Sequence, residues 1–160
     1  MPPLGHFRLD AKAAGYGIAA TLPLLGVLSW CLRTEWGPMR RLVDLIDERV
    51  TPYLAGASVW GIVLLSLMAG IGEEVLFRGV IQAGLADRLP AWLAVGIAAL
   101  LFGVAHWLTT SYAVFATLIG VYLGILFLVT GNLLAPVVTH ALYDVVALSI
   151  LLRLKLGARS

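Results

Sequence analysis

Apolar stretches of about twenty residues recur along this chain, and each has the length of a helix that crosses a lipid bilayer. Of the 160 residues, 61% are hydrophobic and only 12% are charged, and the mean hydropathy is +0.96. Soluble domains average about 45–50% apolar and about 25% charged residues. A water-soluble fold of this size cannot enclose so much apolar surface. The composition therefore predicts an integral membrane protein.

Six apolar windows are candidates for membrane-spanning helices. The third is short and carries charges. The windows are 13–32, 53–71, 73–89, 91–108, 112–129 and 133–152. The joints between the last three are short, so those helices should run antiparallel to one another. The sequence predicts an all-α, polytopic membrane helix bundle of five to six transmembrane helices, forming a single domain over residues 1–160.

Residues 37–52 differ from these windows because apolar side chains recur at helical spacing among charged ones. The apolar positions are Met39, Leu42, Val43, Leu45, Ile46 and Val50. This pattern predicts one amphipathic helix lying at the membrane interface. An ordinary solvated connector helix would show the same pattern, so both interpretations stay open.

Basic residues at the two ends of the chain set the expected orientation. They are Arg8, Lys12, Arg153, Lys155 and Arg159. Because segments rich in Lys and Arg stay on the cytoplasmic side, both termini are expected to be cytoplasmic, which requires an even number of spans. The arginines of residues 33–51 lie on the opposite side in this arrangement.

Charged and titratable side chains inside the apolar windows need a reason to be there. They are Glu73, Glu74, Arg78, His106, His140 and Asp144. One charge at the bilayer centre costs about 2.5–3.5 kcal/mol on insertion scales, so the unpaired set would cost on the order of 10 kcal/mol. That approaches the ~5–15 kcal/mol that stabilises a typical domain. These side chains must therefore pair or share a wet cavity.

Spacing indicates how this pairing can occur. Glu74 and Arg78 are four residues apart, hence on one helix face, while Glu73 points about 100° away. His140 and Asp144 also share a face. Each pair or histidine alone is more often structural than catalytic, but the whole set on three helices predicts a functional site. In the six-span arrangement Glu73 lies near a membrane boundary and the site forms one cavity.

Three segments resemble the motifs of a known family, the membrane-embedded proteases of the CAAX-protease and bacteriocin-processing group, often called Abi. The segments are EEVLFR (73–78), FGVAH (102–106) and HALYD (140–144), in this order on separate apolar helices. They define a motif-bearing core over 73–144. The resemblance implies an intramembrane endopeptidase that acts on a membrane-associated protein or peptide, in the cytoplasmic membrane of a prokaryote.

By the same resemblance, Glu73 matches the catalytic glutamate and His106 the histidine that helps it to activate water. Glu74 and Arg78 match the pair that supports this glutamate. The residues themselves also favour water as the nucleophile. Residues 53–152 contain no Cys or Lys, and the Ser and Thr side chains there lack an obvious base in their own helix. A carboxylate or an imidazole can take a proton from water.

His140 and Asp144 match the residues that stabilise the oxyanion, and some family members carry Asn where Asp144 stands. Zinc is an alternative, because His106, His140 and Asp144 would give two histidines and a carboxylate with an open fourth position. The paired Glu73 and Glu74 supply an internal base, and the sequence has no H-E-x-x-H motif. A mechanism without metal or other cofactor is therefore favoured.

A function of another class also fits these residues. A proton- or ion-coupled carrier, or an immunity protein, would use the same polar side chains as a relay. The sequence shows no inverted repeat and no pair of broken helices, which argues against a carrier.

The expected partners are the lipid bilayer and a membrane-associated substrate. The net charge of +2 without a basic stripe excludes nucleic acid as an expected partner. Tyr112 and Tyr143 are expected to be packing or interface aromatics.

Overall fold

The computed structural model describes residues 3–54 and 56–157, and those residues form helices without any strand. The longer helices are α1 (Ala11–Arg33), α2 (Gly37–Arg49), α3 (Val59–Ala86), α4 (Ala91–Ala105), α5 (Thr110–Thr130) and α6 (Leu134–Gly157). A 3-10 turn at Pro3–His6 and one helical turn at Thr51–Leu54 lie outside them. The predicted all-α class is confirmed.

Local signals in the sequence set where the helices begin and end. At the start of α1 the Asp10 carboxylate accepts hydrogen bonds from the backbone N–H groups of Lys12 and Ala13, at 3.2 and 3.1 Å. The Ser58 hydroxyl caps α3 in the same way. α5 ends at Gly131, whose φ of +59° lies in the left-handed region that glycine adopts without strain. These stops leave connections of only a few residues.

Four helices are long and apolar enough to cross a membrane: α1, α3, α5 and the Leu134–Arg153 part of α6. The apolar helix α4 has only 15 residues. At 1.5 Å per residue it measures about 22 Å, against about 30 Å for the hydrocarbon core of a bilayer. Large apolar side chains such as Leu64, Met68 and Leu118 are exposed on the outer surface, as lipid-facing residues are. The predicted polytopic membrane bundle is confirmed.

The windows 53–71 and 73–89 belong largely to one continuous helix, α3, of 28 residues. The prediction of two separate helices is wrong here. Glu74 and Arg78 neutralise each other within the helix at 3.0 Å, so the charges do not interrupt it. Between Val75 and Gln82 the helix widens into the π form, which is uncommon and often marks functional sites. Glu73 consequently lies near the middle of α3 and not near a membrane boundary.

α1 and α6 pack side by side and run in the same direction. The Arg8 N–H donates to Asn132 Oδ1, just before α6, at 3.1 Å. Further along both helices, the Thr139 hydroxyl donates to the Gly17 carbonyl at 2.9 Å. The start of α1 and the end of α6 therefore lie at opposite faces of the bundle. This parallel arrangement departs from the expected even number of spans, because merging two windows into α3 removes one crossing. The side of the membrane on which each terminus lies stays a prediction.

Small residues allow the helices to approach closely. A Cβ atom added at Gly17 would lie 2.6 Å from the Ala135 carbonyl oxygen, and one added at Gly70 would lie 3.1 Å from Ala141. In lipid there is no hydrophobic driving force for helix association, so van der Waals packing through small residues generally holds the helices together. These contacts bring α1 and α3 against α6, and so place α3 beside the polar residues of α6.

The amphipathic helix predicted over 37–52 is present as α2, over Gly37–Arg49. Its Leu42 is buried, and Val43 and Ile46 line a cavity between α1, α5 and α6. Charged side chains such as Arg41 and Glu48 are exposed on its other face. The apolar face of α2 therefore contacts the protein and forms part of a cavity wall.

Candidate active site

Three helices bring all the predicted site residues into one cluster. Glu73, Glu74 and Arg78 lie on α3, His106 directly follows α4, and His140 and Asp144 lie on α6. Because α4 is short, it ends within the depth of the bundle. His106 thereby comes within reach of the middle of α3.

Glu74 is the buried centre of the cluster. Its side chain is 0% exposed, and its Oε1 accepts hydrogen bonds from Arg78 at 3.0 Å and from His140 Nδ1 at 2.8 Å. Arg78 also donates to the Gly120 carbonyl at 2.8 Å, and its guanidinium lies 4.8 Å from the centre of the Phe102 ring. The i,i+4 ion pair that the spacing predicts is therefore present. It is fixed on several sides, as a buried charge pair must be.

Both histidines direct Nε2 towards Glu73. His106 Nδ1 lies 2.8 Å from the Phe102 carbonyl oxygen, and since a carbonyl only accepts, this nitrogen carries the proton. His140 Nδ1 likewise donates to the Glu74 carboxylate at 2.8 Å. A neutral imidazole has a single N–H. Each neutral histidine therefore presents the lone pair of Nε2 to the site.

Glu73 Oε2 meets these two nitrogen atoms. It lies 3.4 Å from His106 Nε2 and 3.9 Å from His140 Nε2. Within the described residues Oε2 has no hydrogen-bond partner of acceptable geometry, although the side chain is 31% exposed. Glu73 Oε2 and the two Nε2 atoms are all acceptors, so they cannot hydrogen-bond to one another without a proton. That proton can be carried by one of the three atoms, or a water molecule can donate its hydrogens to two of them. This arrangement is suited to binding and polarising water.

Asp144 lies at the edge of this group, where its Oδ2 is 3.6 Å from His140 Nε2. A cavity of about 180 Å³ borders Asp144, His140 and His106. Tyr112 and Tyr143, which the sequence indicated as packing or interface aromatics, line the same cavity. Its remaining walls come largely from apolar side chains, including Leu24, Leu28, Val43, Ile46, Ile119 and Leu148. The cavity has a polar floor and apolar walls, so an apolar or amphipathic chain fits it better than a polar one.

The zinc alternative requires His106, His140 and Asp144 around one ion. Their chemistry is suitable, because each histidine Nδ1 is held by an oxygen atom, as in many metal-binding histidines. Their positions are not suitable. Within the described ranges no group of three or more His, Cys, Asp or Glu side chains is spaced to hold a metal ion. The residues do not fit a metal site as placed.

Sequence reasoning did not identify Gln82, which lies one turn beyond Arg78 on α3. Its side chain is 3% exposed, and its Nε2 donates to the Gly124 carbonyl on α5 at 3.0 Å. The available signal was a long polar side chain four residues after the arginine in an apolar helix. That spacing places Gln82 and Arg78 on neighbouring turns.

Comparisons with known proteins agree with the geometry. A family model described as "Type II CAAX prenyl endopeptidase Rce1-like" matches residues 55–146, a range that contains all the predicted site residues. The uncharacterised protein YpbD of Bacillus subtilis (strain 168) is 33% identical over 141 residues, covering 86% of this chain and 68% of that protein. No solved structure matches the chain significantly.

Proposed function

Because the chain belongs to the Rce1-like family of type II CAAX prenyl endopeptidases, a membrane-embedded protease family, we propose that it hydrolyses a peptide bond of a membrane-associated protein or peptide. The supporting observation is the convergence of two histidine Nε2 atoms on Glu73 Oε2, at 3.4 and 3.9 Å. A carboxylate beside a lone-pair-bearing imidazole is an effective arrangement for general-base catalysis.

Water is the proposed nucleophile. It donates one hydrogen to Glu73 and the other to His106 Nε2, since both atoms are acceptors. As the water oxygen bonds to the peptide carbonyl carbon, Glu73 takes its proton. When the C–N bond breaks, the same carboxyl returns a proton to the leaving nitrogen. Glu73 thus acts first as base and then as acid, and Glu74 stays bonded to Arg78.

His140 and Asp144 are the proposed oxyanion group. An oxyanion needs hydrogen-bond donors. A carboxylate donates only when it is protonated, and His140 Nε2 donates only in the imidazolium form, because Nδ1 already donates to Glu74. The proposed reactive state therefore includes a proton on the His140–Asp144 pair, whose nearest N and O atoms are 3.6 Å apart.

Purified protein in liposomes tests the function directly. Three probes cover the substrate classes: a prenylated C-terminal peptide, a leader peptide and a C-terminal membrane anchor, each read by mass spectrometry. Cleavage of at least one probe by the wild type, and of none by Glu73→Gln, supports the proposal. Lack of cleavage of all three, or equal cleavage by both proteins, contradicts it. A proton or ion flux that Glu73→Gln abolishes, without cleavage, would instead indicate a carrier.

We also propose an orientation in the cytoplasmic membrane of a prokaryote. The face of the bundle that carries α2 and the C-terminal ends of α1 and α6 lies on the cytoplasmic side. More of the Lys and Arg residues in the described part of the chain border that face, namely Arg33, Arg40, Arg41, Arg49 and Arg153. Fewer border the opposite face: Arg8, Lys12 and Arg88. The positive-inside rule therefore predicts that the end of α6 is cytoplasmic. Alkaline phosphatase fused after residue 160 in a bacterial host should be inactive, and GFP at the same place should fluoresce; active phosphatase there would refute this orientation.

Chelation tests the proposal that the mechanism needs no metal. Enzyme treated with a strong chelator should keep its activity, and Asp144→Asn should keep a substantial part, since an amide can donate to an oxyanion. Single-turnover cleavage with and without chelator, together with elemental analysis, measures this. Loss of activity that added zinc restores would show a zinc enzyme instead, because zinc lowers the pKa of its bound water to about 7.

A further inference from the structure

Two side chains of the π segment Val75–Gln82 bond to the backbone of α5. Arg78 donates to the Gly120 carbonyl at 2.8 Å, and Gln82 donates to the Gly124 carbonyl at 3.0 Å. Donor and acceptor are 42 residues apart in both cases. The two hydrogen bonds therefore lie about one turn apart along the same helix–helix contact. Together they fix the position of α3 along the axis of α5.

Gln82 is costly where it lies. It is 3% exposed, and its Oε1 has no hydrogen-bond partner within the described residues. An unsatisfied buried polar group costs about 1–3 kcal/mol. The fit is nevertheless close, since a Cβ atom added at Gly124 would lie 2.8 Å from Oε1. A half-satisfied polar side chain at a place suited to an apolar one calls for an explanation other than stability.

The π form itself gives this explanation. Glu73 and Glu74 immediately precede the π segment. A π turn takes up more residues than an α turn, so it changes the direction of the side chains before it relative to those after it. If the segment relaxed to the α form, the glutamates would turn away from the histidines by a large part of 100°. The contacts that hold Val75–Gln82 in the π form therefore also orient Glu73 and Glu74 towards the histidines.

We propose that Gln82 is a positioning residue of the active site. By bonding to the Gly124 carbonyl it holds the C-terminal end of the π segment against α5, and so directs Glu73 towards His106. Among the described residues, the hydrogen bond of Gln82 goes to Gly124 and not to a residue assigned to water activation or oxyanion binding. The inference rests on the proposed peptidase function, and it concerns the geometry of that same site.

Gln82→Met tests the inference, because methionine keeps the volume and removes the donor. Tyr122→Phe is the matched control: its hydroxyl makes a similar bond between helices, from α5 to the Ala20 carbonyl of α1 at 2.7 Å. On the probe that the wild type cleaves, we expect Gln82→Met to lower kcat by about 10–100-fold, the cost of a small misplacement, with KM within about twofold. Tyr122→Phe should keep both values. The detergent Tm of Gln82→Met should fall no further than that of Tyr122→Phe, because Met also removes the unpaired Oε1.

A second measurement separates this inference from the peptidase proposal. Amide hydrogen exchange over Val75–Gln82 should be faster in Gln82→Met than in Tyr122→Phe. Equal exchange in the two variants, or a kcat of Gln82→Met within twofold of the control, overturns the positioning role. A wild type without peptidase activity contradicts the proposed function instead. In that case hydrogen exchange alone tests whether Gln82 holds the π segment in place. If Gln82→Met does not accumulate, Gln82→Asn, whose amide is one methylene too short to reach Gly124, replaces it under the same criteria.

Discussion

Glu73→Gln is expected to lower kcat/KM for peptide cleavage by about 10²–10⁴-fold, the usual contribution of a general base. The amide has nearly the shape of the carboxylate but cannot take a proton from water. Folding should be little affected, because Oε2 has no hydrogen bond to lose within the described residues and the side chain is 31% exposed. Single-turnover cleavage in liposomes measures the loss, and the detergent Tm measures folding.

Asp87→Asn is the control for this result. It also neutralises one carboxylate, but Asp87 is exposed and follows the far end of α3. Its activity should stay within about twofold of the wild type, as for surface substitutions away from special features. Residual activity above a few per cent in Glu73→Gln would show that another group is the base. In that case His106, at 3.4 Å from Glu73, is the next candidate.

Adjacent glutamates take different roles because their surroundings differ. Glu74 is fully buried and accepts two hydrogen bonds at one oxygen, so its charge is committed to Arg78 and His140. Glu73 is partly exposed, and its Oε2 faces two histidine nitrogens that are themselves acceptors when neutral. When two neighbouring carboxyl groups have such different surroundings, one often reacts and the other supports it. We therefore propose Glu73 for the chemistry and Glu74 for its support.

Local spacing was sufficient to predict much of this site. The i,i+4 rule placed Glu74 beside Arg78 and His140 beside Asp144, and the structure has these pairs at 3.0 and 3.6 Å. Apolar length also predicted the long helices well: the window 112–129 is the helix Thr110–Thr130. Such features depend only on helical period and hydropathy, which the sequence contains directly.

Features that depend on contacts between helices could not be predicted in this way. The apolar windows 53–71 and 73–89 were separated at residue 72, but the charges that follow find partners on other helices, the Gly120 carbonyl and His140, and α3 continues. Helical period and hydropathy do not distinguish the π segment Val75–Gln82 from an α-helix, and the hydrogen bond of Gln82 requires Gly124 on another helix. The expected even number of spans depended on the same segment, since one unbroken helix changes the number of crossings.

Arg78→Met is expected to destabilise the protein by roughly 3–5 kcal/mol, the cost of leaving a buried charge without its partner. Arg78 is 1% exposed and is the only cation bonded to Glu74 apart from a protonated His140, within the described residues. Methionine retains most of the volume, so lost packing contributes little. Unfolding in mixed detergent measures the free energy, and a Tm equal to that of the wild type would refute the structural role.

The double variant Glu74→Gln with Arg78→Met separates stability from catalysis. Removing both charges leaves no stranded ion, and replacing a buried pair by neutral groups is often neutral or stabilising. We therefore expect the double variant to recover most of the stability that Arg78→Met loses. Activity should not recover, because His140 Nδ1 would then donate to a neutral amide oxygen in place of a carboxylate at 2.8 Å. A double variant that regains both stability and cleavage would show that the pair only maintains the fold, and that the Glu74–His140 bond has no part in the reaction.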